Sequence, residues 1–180
     1  MKNIALFIFI IVFISACRTT KPVAEASKAA ESARVVNYAD QSTWLLGYFS
    51  QNQLTREPHS VWYNKGYEEY KPDEEVMRKL HEINKDSITI TVVMGTWCPD
   101  SRREVPRFMK VLDYWRFPLV NVKFIGVDMD KNSPVGEFEQ LDIQRVPTFI
   151  IYKNKIEAGR IIENPVTSLE QDILDILKTN

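Results

Sequence analysis

Apolar and polar positions divide the chain into blocks of different period. Residues 4–13 (IALFIFIIVF) are apolar without interruption and follow a basic start at Lys2. A run of about ten falls short of the roughly 20 residues a bilayer-spanning helix needs, but it has the length and flank of a secretory signal core. Residues 18–36 change character: Ala, Ser, Lys and Glu dominate and aromatics are missing. Such a segment buries little and predicts a flexible tether, with a random-coil reach of roughly 25 Å for about 20 residues. From 37 to 72 aromatics crowd in, with Tyr38, Trp44, Tyr48, Phe49, Trp62, Tyr63, Tyr67 and Tyr70. That density predicts an extension packed on the domain that follows. Ser60–Tyr70 has helical spacing, with Tyr63, Tyr67 and Tyr70 on one face. Thr43–Phe49 fits a strand or a helix equally.

From residue 73 the periods alternate. Pro72 and the acidic Asp73, Glu74 and Glu75 open a helix, because proline suits a first turn and anions suit its positive end. It carries Val76, Leu80 and Ile83 inward and runs to about Lys85. Ser87–Met94 (SITITVVM) is a β-branched run that predicts a central strand. Gly95–Pro99 leads into a long helix over Asp100–Trp115, with Val105, Phe108, Met109 and Leu112 at helical spacing and Pro106 as a kink. Asn121–Val127 predicts a strand and Val135–Leu141 a short helix. Thr148–Tyr152 and Ile156–Ile162, separated by Lys153-Asn154-Lys155, predict a hairpin. Thr167–Leu177 closes the chain as an amphipathic helix. The order α-β-α-β-α-β-β-α predicts an α/β domain over 73–180: a mixed central sheet flanked by helices on both faces.

Composition narrows the function classes. With 44% apolar residues the chain can fill a core, and 23 basic against 24 acidic residues give no overall field for nucleic acid or a strongly acidic partner. Asp128-Met129-Asp130-Lys131-Asn132, with Glu139 at the twelfth position, starts like a calcium loop. Ser133 stands where the sharp turn wants glycine, so an ordinary strand-end turn is expected. His59 and His81 are isolated in sequence, and no metal-ligand cluster or cofactor motif is present, so neither a metal nor a cofactor is expected.

The cysteines carry the chemistry, and the chain has two. Ile14-Ser15-Ala16-Cys17, directly after the apolar run, resembles the bacterial lipobox. The resemblance implies a signal peptide over 1–16, a lipidated Cys17 as new N-terminus and a tether over 17–36. It also implies a domain held on the extracytoplasmic side of a membrane of the bacterial cell envelope. Cys98 is left as a lone thiol with no disulfide staple, a notable state in an oxidising compartment.

Cys98 falls where the predicted strand passes into the long helix. There its sulfur meets unpaired backbone N–H groups and the positive helix end, which favour the thiolate. Arg102 and Arg103 add positive charge and Asp100 opposes it, while Trp97 shields one side of the sulfur with a flat apolar ring. Trp97-Cys98-Pro99-Asp100-Ser101 between strand and kinked helix resembles the active-site region of the thioredoxin family. So does Val146-Pro147-Thr148 before the hairpin, and the resemblance covers about residues 73–178. It implies a thioredoxin-like fold with Cys98 as nucleophile and a cis Val146–Pro147 bond facing it. Trp97, Pro99, Val146 and Pro147 then bind substrate, Val146 offering free backbone groups to an extended segment.

The family's second cysteine is replaced by Ser101, whose hydroxyl can hydrogen-bond Cys98 but cannot resolve a mixed disulfide. Turnover therefore borrows a thiol from a cysteine-containing exported protein or from a small-molecule thiol. The expected function is a membrane-tethered monothiol thiol:disulfide oxidoreductase or isomerase. Its alternative is a redox-inactive thioredoxin-fold module for peptide binding or envelope assembly. The tyrosine face of 63, 67 and 70 is expected to pack, with one flank of the Cys98 groove as the other place open to it.

Overall fold

The computed structural model describes residues 36–179, and the signal peptide, Cys17 and the tether lie outside the described residues. Residues 36–180 form one compact unit. Its elements are β1 (Gly47–Phe49), α1 (Ser60–Glu69), α2 (Glu74–His81), β2 (Ile88–Met94), α3 (Pro99–Tyr114), β3 (Val122–Gly126), β4 (Thr148–Lys153), β5 (Ile156–Ile162) and α4 (Leu169–Thr179). The five strands form one sheet in the order β1-β3-β2-β4-β5. β2 and β3 run parallel, and the remaining neighbours are antiparallel.

Local chemistry sets the helix ends. The Asp73 carboxylate accepts from the Val76 N–H at 2.9 Å, capping α2, with Glu74 and Glu75 in its positive first turn. α2 stops at His81, before the expected Lys85. Asn84 instead folds its side chain back to accept from the Asp86 N–H at 2.9 Å, turning the chain into β2. At the other end Ser168 Oγ accepts from the Gln171 N–H at 3.2 Å ahead of α4.

The sheet's two faces differ, because strand side chains alternate. Ile88, Ile90, Val92, Met94, Phe124, Phe149 and Ile151 join the larger core, which takes apolar residues from all four helices. Phe108 stacks on Phe149 with centroids 4.1 Å apart, and the fully buried Trp115 donates its indole N–H to Leu80 O at 2.6 Å. Each such large side chain contributes about 1.5–3 kcal/mol when fully buried.

The opposite face departs from the expectation of helices on both sides. It is met by a smaller cluster of Val93, Cys98, Ile125, Val127, Phe138 and Val146. Val135–Leu141, read from sequence as a helix, forms only a 3₁₀ turn at Phe138–Leu141. Glu137 and Asp142 bracket that turn at φ 60° and 48°, left-handed positions that stop a right-handed helix from propagating. Among the described residues no helix is long and apolar enough to cross a membrane.

The undecided segment Thr43–Phe49 ends in β1, which pairs with β3 as an edge strand. The aromatic extension over 37–72 thus supplies both a strand and α1 to the same compact unit. Tyr63 is buried, and the rings of Tyr63 and Tyr67 stack 6.3 Å apart. Tyr67 OH donates to Asp113 on α3, and Tyr70 OH donates to Glu170 on α4 at 2.7 Å. Burial, and then the Glu170 carboxylate, push the Tyr70 phenol above its usual range. The tyrosine face is packing surface between helices, and Tyr70 also lines a cleft between α1 and α3.

Candidate active site

Sheet register brings three loops together. Val93 lies opposite Thr148, so the residues just before β4 stand beside the end of β2. Met94 pairs with Gly126 in the parallel ladder, and Gly126 also faces Gly47. The ends of β2 and β3, the start of β4 and the approach to β1 therefore meet at one edge of the sheet.

Cys98 is the N-cap of α3, with φ −77° and ψ 125°, and Pro99 takes the first helical position. The side chain is 7% exposed, and its Sγ–H donates to the Val146 carbonyl at 3.3 Å. The Val146–Pro147 bond is cis, as is Glu57–Pro58. Both Val146 and Pro147 are buried, and Pro99 is exposed beside the sulfur. Trp97 is partly buried and donates its indole N–H to Val127 O at 2.9 Å, fixing the ring across the end of β3.

Ser101 is completely buried, and its Oγ accepts from the Gly95 N–H at 3.3 Å. The bond expected between Ser101 and Cys98 is therefore not the one formed. Each side chain holds a different loop: Ser101 the turn after β2, Cys98 the loop before β4. The charges expected beside the sulfur are also spent elsewhere. Arg103 pairs with Asp100 and Glu104, each at 2.7 Å, and also donates to Asn164. Arg102 points its Nη1 at the carbonyls of Thr96 (3.1 Å) and Trp97 (2.9 Å), so it clamps the backbone of the cysteine loop.

Residues that sequence reasoning did not assign complete the site. Thr96, almost fully buried, accepts from the Leu45 N–H at 3.3 Å and donates to Thr43 O at 3.2 Å. Trp44 packs against Trp97 with centroids 6.4 Å apart, and its indole N–H donates to Tyr38 O at 3.0 Å. The Arg102 guanidinium lies 4.4 Å from the centre of the Tyr38 ring, a cation–π contact worth about 0.5–2 kcal/mol. Residues 38–45 thus run as a strap along the cysteine loop. The signal available in the sequence was the aromatic density before residue 50, which gave packing without a location.

His59 lies behind the strap. It is 3% exposed, its ring stacks on Tyr38, and its Nδ1 has no hydrogen-bond partner among the described residues. Burial, and then the Arg102 charge, hold the imidazole below its ordinary value of 6.5. Below about pH 6.5 the unfolded chain takes up a proton that the folded chain resists, so stability falls as the pH drops. Urea denaturation at pH 7.5 and pH 5 is expected to show this loss, and His59→Phe is expected to diminish it. An unchanged pH dependence in the variant would assign the effect to other groups.

A strand-to-helix cysteine opposed by a cis-proline loop on a five-stranded mixed sheet defines a thioredoxin-like thiol protein. A family model described as thioredoxin matches residues 49–172, and the chain belongs to that family. Among solved structures it is similar to thioredoxin from Trypanosoma brucei brucei, at 28% identity and TM-score 0.35, over 59% of this chain and 87% of that one. It is similar to oxidized thioredoxin O2 from Arabidopsis thaliana at 19% identity and TM-score 0.38, over 57% and 87% of the two chains. A protein of unknown function from Pseudomonas aeruginosa aligns at 15% identity and TM-score 0.45, over 66% and 79%. No curated protein matches the sequence.

Proposed function

We propose that this chain is a monothiol thiol:disulfide exchanger of exported proteins, held at the bacterial envelope by lipid on Cys17. The observation that carries the proposal is the sulfur of Cys98 at the start of α3, 3.3 Å from the Val146 carbonyl. An extended segment pairing with the Val146 backbone would lay its own disulfide beside that sulfur. The Cys98 thiolate attacks one sulfur of the disulfide, forming a mixed disulfide and releasing the other sulfur as thiolate. A different thiol of the same substrate then attacks the substrate sulfur bound to Cys98. A new substrate disulfide forms and the Cys98 thiolate leaves. The cycle is isomerisation, with no net change of oxidation state.

The near-complete burial of Cys98 favours a second reading, in which the loops bind an extended peptide and the thiol stays inert. Reactivation of a scrambled multi-disulfide protein separates the two. The wild-type chain is expected to accelerate it and Cys98→Ala to leave it at the uncatalysed rate; equal rates would support the binding module. For the anchor, acyl label is expected on the wild-type chain and not on Cys17→Ala in bacterial expression. Equal labelling would remove the lipid from the proposal.

A further inference from the structure

Between α1 and α3 lies a cleft of about 270 Å³, lined on one wall by Trp62, Lys65 and Lys71 and on the other by Arg102, Arg103 and Arg107. Glu69 is the one carboxylate among its lining residues. The chain as a whole is nearly neutral at −1, so this crowding of cations is a local segregation of charge.

Part of the charge is neutralised internally. Arg103 and Arg107 both reach the buried Glu104 carboxylate, at 2.7 and 3.0 Å, and Lys65 lies 4.0 Å from Glu69. Lys71 and Arg102 form no ion pair among the described residues. Both of Arg102's hydrogen bonds leave from Nη1, so its other nitrogens remain available. The Trp62 indole N–H, shielded from water, has no hydrogen-bond partner among the described residues. Cations without counter-ions in one concavity match a carboxylate, which accepts several charge-assisted bonds at once.

The cleft is also placed for the chemistry of Cys98. Arg102 follows Cys98 by one helical turn, about 6 Å along the axis. A chain extended along the site advances about 3.3 Å per residue, so a side chain two to four residues from the reacting sulfur reaches the cleft.

We propose that this cleft binds carboxylates of the molecule that exchanges thiols with Cys98, making the protein selective for acidic partners. The proposal rests on the thiol-exchange reading of Cys98. Glu or Asp side chains of a polypeptide and the carboxylates of a small thiol share this chemistry.

The test uses the full chain and two activated peptide disulfides of one sequence, carrying either Glu or Gln two to four residues from the cysteine. The Glu peptide is expected to form the mixed disulfide with Cys98 roughly tenfold faster at low salt. The ratio is expected to fall toward one in Lys65→Gln/Lys71→Gln and at about 0.5 M salt, where screening lengths shrink to a few Å. An anionic and a neutral aromatic disulfide form the small-molecule arm. If the anionic one shows the same advantage, the source is a free carboxylated thiol; if only the peptides differ, it is a polypeptide.

A ratio of one in the wild-type chain, or a ratio that both lysine substitutions leave untouched, overturns the proposal. Titration with cysteine-free Glu and Gln peptides, read at the Trp62 indole N–H resonance, tests the cleft apart from the thiol. A shift with the Glu peptide alone, beside an unreactive Cys98, would sink thiol exchange and keep the carboxylate site. No shift with either peptide overturns the site.

Discussion

Gly126→Ala is expected to destabilise the fold by about 3 kcal/mol, roughly a hundredfold in the folding equilibrium, and to loosen the cysteine loop with it. A Cβ at this position would fall 1.9 Å from the Leu45 carbonyl oxygen and 2.6 Å from its carbon. The clash is with backbone, so no rotamer change relieves it, and the cost lies at the upper end for overpacking. Residues 45 and 46 must retreat from the sheet by more than about 1 Å to restore contact distances. That movement pulls the Leu45 N–H from Thr96 and carries Trp44 away from Trp97. Urea denaturation measures the stability loss, and alkylation of Cys98 in the still-folded variant measures the loosening. A variant as stable as wild type, with its thiol equally shielded, would mean that residues 38–45 do not constrain the loop.

Ser101→Cys is expected to have the largest effect on activity. In the proposed mechanism the mixed disulfide of the wild-type chain waits for a thiol from outside. An introduced thiol one turn along α3 attacks the Cys98 sulfur, releases the substrate as a reduced thiol and leaves an internal disulfide, which an added dithiol reductant then reduces. Intramolecular attack draws on effective molarities far above any thiol in solution. Reduction of a model protein disulfide is therefore expected to rise on the order of a hundredfold. Adding Cys98→Ala to the variant is expected to abolish the gain. Ser101 is fully buried and holds the Gly95 N–H, so the variant's stability is measured beside its rate. A folded variant without catalytic gain would show that the groove does not admit disulfides.

The sequence made the core of this fold legible because its signals are local. The β-branched run at 87–94, the i, i+4 spacing through 105–112 and the turn before Ile156 each report their own element. The cysteine and the proline loop were also legible, since each sits at the boundary of a strong element. What was not legible depends on contacts distant in sequence. Thr96 meets residues 43 and 45 across about fifty positions, and Glu170 meets Tyr70 across a hundred. Arg102 read as a charge for the sulfur because it falls within the first turns of the helix that Cys98 opens. Its side chain turns instead to two carbonyls and the Tyr38 ring, a choice made by the packed strap. The missing helix at 135–141 has a backbone cause: left-handed residues at both ends of the turn, none of them the glycine that would announce them.

Folding is expected to make Cys98 a working nucleophile although its side chain is 7% exposed. The most direct test is the rate of mixed-disulfide formation between Cys98 and an extended peptide disulfide at neutral pH. It is measured in the folded chain and in the same chain unfolded by urea, with Cys98→Ala correcting for Cys17. A folded-state rate at least about tenfold above the unfolded one is expected, because the loops position the disulfide for attack. A folded-state rate below the unfolded one would contradict the account and leave a thioredoxin-family fold that binds peptides around a silent thiol.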